Sequence, residues 1–152
     1  MKLSVYTEVK NRGWEAVAFD LTDVSDGLTA ESFTLTAYRG DKSADRKMRA
    51  LTKIENGYHL AIDPIYYNGN FRLEVTLDGI SYPLTKGDVS LENIHVKDLD
   101  KFEAKQDGDV IYRLYSPQAD GPRPLILFLH GGGECGYDNL LQMTGTLGAL
   151  KL

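Results

Sequence analysis

Residues 71–78 read FRLEVTLD, a stretch in which apolar and polar side chains alternate without a break. The apolar side chains are Phe71, Leu73, Val75 and Leu77. Successive side chains of a β-strand point to opposite faces of a sheet, so the pattern predicts a strand with one buried face and one wet face.

The same alternation recurs along the first hundred residues of the chain. Three earlier strands with a single apolar face are predicted around residues 3–9, 17–21 and 33–37. Trp14, just ahead of the second of these strands, is interpreted as a core or seam residue because large aromatic side chains contribute most when they are buried.

Turn signals separate these strands. Asn56-Gly57 and Asp78-Gly79 each precede a further apolar alternation, and such dipeptides tolerate the positive φ of tight hairpin turns. About seven short strands with few helix signals predict a mainly β fold. We therefore expect an immunoglobulin-like β-sandwich over residues 1–98, although the cysteine pair of antibody domains is absent.

Composition and charge exclude several classes of protein. With 42% hydrophobic residues the chain can bury a core, so general disorder is excluded. The net charge of -5 disfavours nucleic acid and anionic membranes as partners. The one basic cluster, Arg46, Lys47 and Arg49, is interpreted as a solvated loop because acidic residues flank it.

The character of the sequence changes near residue 100. Residues 102–115 read as a second hairpin with Asp107-Gly108 at its turn, and a loop rich in Pro and Gly follows. Residues 125–129, LILFL, are five apolar residues without alternation, as in a strand buried on both faces of a sheet. Residues 99–152 are therefore predicted to begin an α/β domain.

Three glycines follow that apolar run directly, in the sequence His130-Gly131-Gly132-Gly133. The sequence has neither G-x-x-x-x-G-K-[ST] nor a G-x-G-x-x-G that opens a helix, and no Lys follows the glycines, so a phosphate-binding loop fits poorly. An oxyanion hole fits better, because α/β-hydrolases place one backbone N–H donor in a loop often written HGGG after the third strand.

The stretch PLILFLHGGGECGYDN, residues 124–139, resembles the predicted-peptidase and esterase branch of the α/β-hydrolases, the relatives of polyhydroxybutyrate depolymerase and feruloyl esterases. Members typically show His-Gly-x-Gly-Glu after an apolar strand, then Gly and an Asp-Asn pair. Some members carry an immunoglobulin-like domain ahead of the hydrolase. The resemblance implies that this chain is the amino-terminal part of a serine carboxylic-ester hydrolase.

The resemblance also implies roles for the residues of the loop. Gly132, with Gly133 next, would supply the backbone N–H of the oxyanion hole. The remaining motif residues would support the shape of the loop, and they are His130, Gly131, Glu134, Asp138 and Asn139. Asp138 is also expected to cap a helix that starts near Asn139.

The attacking group of a hydrolase is absent from these residues. All seven serines precede the loop, and no G-x-S-x-G occurs, so we expect the chain alone to be inactive. Cys135 lacks a neighbouring base in sequence, which makes it a poor substitute nucleophile. No cofactor is implied, and His59, His95, His130 and Cys135 do not cluster as metal ligands.

The incomplete hydrolase segment leads to an expectation about partners. The ester substrate belongs to the full-length parent, whereas the apolar strand 125–129 needs neighbours that one hairpin cannot provide. We therefore expect self-association of the 152-residue chain through this segment. The amino terminus has no signal-peptide pattern, so the chain is expected to be soluble, either cytoplasmic as given or exported with a signal removed.

A different function remains open, namely a β-sandwich that binds a glycan or a protein partner and has no catalytic role. Tyr66 and Tyr67 lie beside a turn, where stacked rings sometimes hold sugars. The competing interpretation is that one tyrosine belongs to the core and the other to a corner of the sandwich.

Overall fold

The computed structural model describes residues 1–10, 13–118, 120–133, 135–145 and 150. They form two compact units. The sandwich unit comprises Met1–Glu8 and Trp14–His95, and the hairpin unit comprises Val9–Gly13 and Val96–Leu152. The predicted domain division between residues 98 and 99 stays a prediction.

Strands make up most of the regular structure. In chain order they are β1 (Lys2–Lys10), β2 (Gly13–Thr22), β3 (Phe33–Arg39), β4 (Lys42–Arg46), β5 (Met48–Ile54), β6 (Gly57–Tyr66), β7 (Asn70–Leu77), β8 (Ile80–Thr85), β9 (Ile94–Val96), β10 (Glu103–Asp107) and β11 (Val110–Leu114). One short helix, α1 (Leu141–Thr144), and four single-turn 3-10 helices complete the described elements.

The strands of the sandwich form two sheets. One sheet has the order β5-β6-β2-β1-β9 and the other the order β4-β3-β7-β8. The orders β5-β6-β2-β1 and β4-β3-β7-β8 are those of strands D-E-B-A and C′-C-F-G in immunoglobulin sandwiches. The predicted class, a mainly β fold built on a sandwich, is confirmed.

The core lies between these two sheets. Alternate side chains of β1, β2, β6 and β7 are buried, which is the pattern that period-two strands require. Phe19 of β2 and Phe71 of β7 meet across the core, with their ring centroids 5.0 Å apart. Trp14 is 3% exposed and contacts Tyr67 edge to face, so its interpretation as a core residue is confirmed.

Two turns show why glycine occupies particular positions. Asp78 and Gly79 both have positive φ, of 50° and 78°, and join β7 to β8 as the sequence predicts. Gly57 opens β6 opposite Thr22, where an added Cβ would collide with the carbonyl oxygen of Leu21. Close approach of two backbones therefore requires glycine at position 57.

The structure corrects the interpretation of the basic cluster as a solvated loop. Arg46 ends β4 and Arg49 lies in β5, so these residues belong to strands and not to a loop. Every residue of β4 is exposed, because it is an edge strand with no apolar alternation. Arg49 Nε donates to Asp63 Oδ1 at 2.7 Å, so this basic residue pairs within the sheet.

The hairpin unit contains the predicted second hairpin, in which β10 and β11 pair antiparallel. The rings of Phe102 and Tyr115, just outside the hairpin, lie 5.3 Å apart. The predicted buried strand at residues 125–129 is wrong for this structure. These residues form no strand, and Leu125 is 87% exposed, because the described residues provide no strands beside them.

No helix among the described residues is long and apolar enough to cross a bilayer.

Candidate functional site

The glycine loop, residues 130–139, is the site that the sequence analysis singles out. Gly132 and Gly133 are exposed, and a Cβ added to either would meet no atom within 4 Å. A ligand can therefore approach the backbone of both glycines from the side on which other residues carry a Cβ. The predicted oxyanion role of their N–H groups stays a prediction.

Two side chains fold back onto the carbonyls of this loop. His130 Nδ1 lies 2.8 Å from the carbonyl oxygen of Gly131, and Cys135 Sγ donates to the carbonyl of Gly132 at 3.2 Å. Both contacts leave the N–H groups of the glycines untouched. Gly131 is exposed like its neighbours, and Glu134 lies outside the described residues.

The carboxyl end of the loop is held by its own Asp-Asn pair. Asp138 Oδ1 accepts hydrogen bonds from the N–H groups of Leu140 and Leu141, at 2.9 and 3.0 Å. The N-cap position is Leu140, which makes no side-chain cap hydrogen bond, so Asp138 binds the amides where the chain enters the helix and does not occupy the expected cap position. The helix begins at Leu141, two residues later than expected. Asn139 has a φ of 57° and donates from Nδ2 to the carbonyl of Tyr112 at 3.3 Å.

Arg113 of β11 is a positioning residue that the sequence analysis missed. Its Nε donates to the carbonyl of Asn139 at 2.7 Å, and its Nη1 donates to the carbonyl of Phe102 at 2.8 Å. Burial lowers the pKa of the guanidinium, yet an arginine remains charged at neutral pH. One side chain thus ties the end of the glycine loop to the start of the hairpin.

We expect Arg113→Ala to loosen the loop, because two carbonyls lose a charged donor and a hydrogen bond to a charged group contributes about 1.5 kcal/mol or more. Amide hydrogen exchange should quicken by about tenfold or more at Leu140 and Leu141, since tenfold corresponds to about 1.4 kcal/mol. Arg46→Ala, at an exposed edge strand, is the matched control. Unchanged exchange at both amides would show that Arg113 does not position the loop.

A second polar cluster lies on the outer face of the five-stranded sheet. Asp20 accepts at Oδ2 from the Tyr6 hydroxyl at 2.7 Å, and its Oδ1 lies 2.6 Å from His59 Nδ1. Tyr6 stacks on His95 with centroids 4.7 Å apart. The hydrogen bond to Asp20 raises the pKa of Tyr6.

The cluster pairs a histidine, His59, with a carboxylate, Asp20, as a catalytic triad does. It lacks a nucleophile to complete such a triad. No serine, threonine or cysteine among the described residues donates to His59 in the structure. The described residues also contain no group of three or more His, Cys, Asp or Glu side chains that could hold a metal ion. The bonds of the cluster join β1, β2 and β6.

The two tyrosines of the sugar-binding alternative differ in accessibility. Tyr67 is 1% exposed, so its ring cannot stack on a sugar. Tyr66 is 37% exposed, and the guanidinium of Arg39 lies 4.9 Å from its ring centroid, over one face. The binding-module alternative stays a prediction and would depend on Tyr66.

No family model and no curated protein matches the sequence. Among solved structures, the chain is similar to the crystal structure of a thermostable esterase, with a TM-score of 0.53 and 22% sequence identity. The similarity covers 98% of this chain and 52% of the esterase chain. The chain therefore shares its fold with about half the length of a thermostable esterase.

Proposed function

We propose that this chain is the amino-terminal part of a serine carboxylic-ester hydrolase of the predicted-peptidase and esterase branch, with the sandwich unit as its immunoglobulin-like accessory domain. The observation that carries the proposal is the glycine loop, His-Gly-Gly-Gly with a following Asp-Asn pair, within a fold shared with a thermostable esterase.

The proposed chemistry uses the backbone of the loop. When a nucleophile attacks the ester carbon, the carbonyl oxygen becomes an anion, and preorganised N–H groups stabilise it by about 3 kcal/mol per donor. Gly132 is the first donor proposed and Gly133 the second candidate. Their exposure and the free space beside them support this role.

The support of the loop has a proposed function of its own. Oxyanion donors are effective only when their direction is fixed before the substrate arrives. The bonds of Asp138 to the amides of Leu140 and Leu141, and of Arg113 to the carbonyl of Asn139, restrain the loop at its carboxyl end. His130 restrains the other end through the carbonyl of Gly131, and we therefore assign it a positioning role and not that of the catalytic base.

The nucleophile is proposed to lie in a part of the parent enzyme beyond these 152 residues. In α/β-hydrolases the serine of G-x-S-x-G follows the oxyanion loop in the chain, and the acid and the histidine of the triad come later still. We therefore expect the 152-residue chain to hydrolyse p-nitrophenyl acetate no faster than buffer does. Robust hydrolysis that survives Gly132→Val would contradict the proposal.

The oxyanion role is tested in the parent enzyme. Gly132→Val places a branched side chain beside the proposed donor and should lower kcat by about a hundredfold to a thousandfold. Gly87→Ala is the matched control, because a Cβ there would make only an ordinary contact of 3.6 Å with Thr85 Oγ1. A reading frame downstream of codon 152 without G-x-S-x-G would exclude the serine mechanism.

A further inference from the structure

The apolar segment 125–129, LILFL, is the surface on which we base a further inference. Leu125, Ile126, Leu127 and Leu129 are 65–87% exposed. Within the described residues, no backbone hydrogen bond involves this segment, so its N–H and C=O groups can pair with another strand. Exposed apolar side chains next to an unpaired backbone are the two features that let a strand pair with another chain.

Charge favours this segment as the place where two copies meet. The chain carries a net charge of -5, so two copies repel each other on average. From Pro124 to Gly133, however, the sequence contains no Asp, Glu, Lys or Arg. Two copies of this stretch can approach without bringing like charges together.

The order of the residues selects an antiparallel arrangement. Leu-Ile-Leu-Phe-Leu reads almost the same in both directions. A two-fold axis through Leu127 pairs Leu125 with the partner copy's Leu129 and Ile126 with its Phe128, while Leu127 meets its own counterpart. Each face of the resulting ribbon then carries only apolar pairs, and the interface is self-complementary as two-fold symmetry requires.

We propose that segment 125–129 is a self-association surface, at which two copies of this chain form an antiparallel strand pair about Leu127. The proposal concerns the 152-residue chain and does not require the proposed esterase function, although both proposals start from the same uncovered segment. It requires only the described exposure, the unpaired backbone and the near-symmetric sequence of the segment.

Sedimentation equilibrium of the 152-residue chain over a wide dilution series is the first test. We expect a reversible monomer–dimer equilibrium. Leu127→Lys should weaken the dimer by more than about tenfold, because two ammonium groups would face each other at the axis. Leu91→Lys is the matched control, since Leu91 is 60% exposed but lies in the sandwich unit, and it should leave the equilibrium unchanged.

A disulfide experiment tests the register. In a Cys135→Ser background, Leu127→Cys should form a disulfide-linked dimer under mild oxidation, because directly opposite Cβ atoms lie about 5 Å apart. Leu125→Cys should not, since its counterpart would lie about 13 Å away along the strands.

Four results would overturn the proposal. They are a monomer at every concentration, a dimer that withstands Leu127→Lys, crosslinking at position 125 in preference to position 127, and assemblies larger than a dimer.

Discussion

Phe19→Ala should destabilise the sandwich unit by about 3–5 kcal/mol, the largest loss that we expect from a single change. Phe19 is 0% exposed in β2, a central strand, and its ring meets Phe71 of the opposite sheet at 5.0 Å. Removing the ring leaves a cavity that neither sheet can close alone. A domain is typically stable by only about 5–15 kcal/mol, so the variant should unfold at much lower urea concentration.

Urea denaturation, followed by the fluorescence of the single tryptophan, measures this loss of stability, because Trp14 lies in the sandwich unit together with Phe19. Phe19→Leu keeps most of the apolar volume and should lose clearly less stability than the alanine variant. Ile80→Ala, at a side chain that is 56% exposed, is the matched control and should stay within about 0.5 kcal/mol of the parent chain. A loss below about 1 kcal/mol for Phe19→Ala would mean that the ring does not join the two sheets.

The strands that could be predicted from sequence are those with one buried face and one exposed face. In β7 the buried residues Phe71, Leu73 and Val75 alternate with residues that contact solvent, and that contrast is visible in the letters of the sequence. Turn chemistry could be predicted for the same reason, because the positive φ of Asp78 and Gly79 depends on local sterics alone.

Strands without a buried face could not be predicted in this way. β4 reads KSADR, every one of its residues is exposed, and it is held by pairing with β3. One side-chain bond, from Thr36 Oγ1 to Asp45 Oδ1 at 2.8 Å, joins the two strands. The ladder bonds themselves involve backbone atoms, which every residue except proline supplies alike. Pairing at a sheet edge therefore leaves little trace in the side-chain pattern. The basic residues at the end of β4 are for this reason interpreted from sequence as a loop.

Some residues of the candidate site could be identified from the sequence and others could not. The glycine loop could be identified from sequence because its chemistry depends on residues adjacent in the chain. Arg113 could not, since it binds the carbonyls of Phe102 and Asn139, which are 11 and 26 positions away. The pairing of Asp20 with His59 likewise depends on the register of β2 against β6.

The exposure of segment 125–129 shows a limit of a different kind. An apolar run of five residues indicates that the segment favours burial, but it does not indicate which strands will cover it. The described residues supply one two-stranded sheet in the hairpin unit, and the segment does not join it. The proposed parent enzyme and the proposed self-association each supply covering strands that the described residues do not.

Tyr67 should make the sandwich unit lose stability steeply at alkaline pH. Burial raises the pKa of its phenol from 10.0 to about 12. The unfolded chain would release this proton near pH 10, whereas the folded chain would hold it until near pH 12. A raised folded pKa contributes stability that is complete below the unfolded pKa and is lost as pH rises through the folded one. The loss between these two values is roughly 3 kcal/mol, because each pH unit between the two pKa values costs about 1.36 kcal/mol.

Tyr67→Phe removes the proton and should abolish this contribution. Among the described residues the Tyr67 hydroxyl is buried without a hydrogen-bond partner, so the phenylalanine variant should be at least as stable as the parent chain below pH 10. The difference between the unfolding free energies of the two chains, measured by urea denaturation from pH 9 to pH 11.5, should then grow in favour of the variant. Tyr82→Phe, on a side chain that is 41% exposed, is the matched control. If the unfolding free energies of both variants change with pH as steeply as that of the parent chain, the hydroxyl of Tyr67 is not held away from water. The packing described for this end of the sandwich core would then be incorrect.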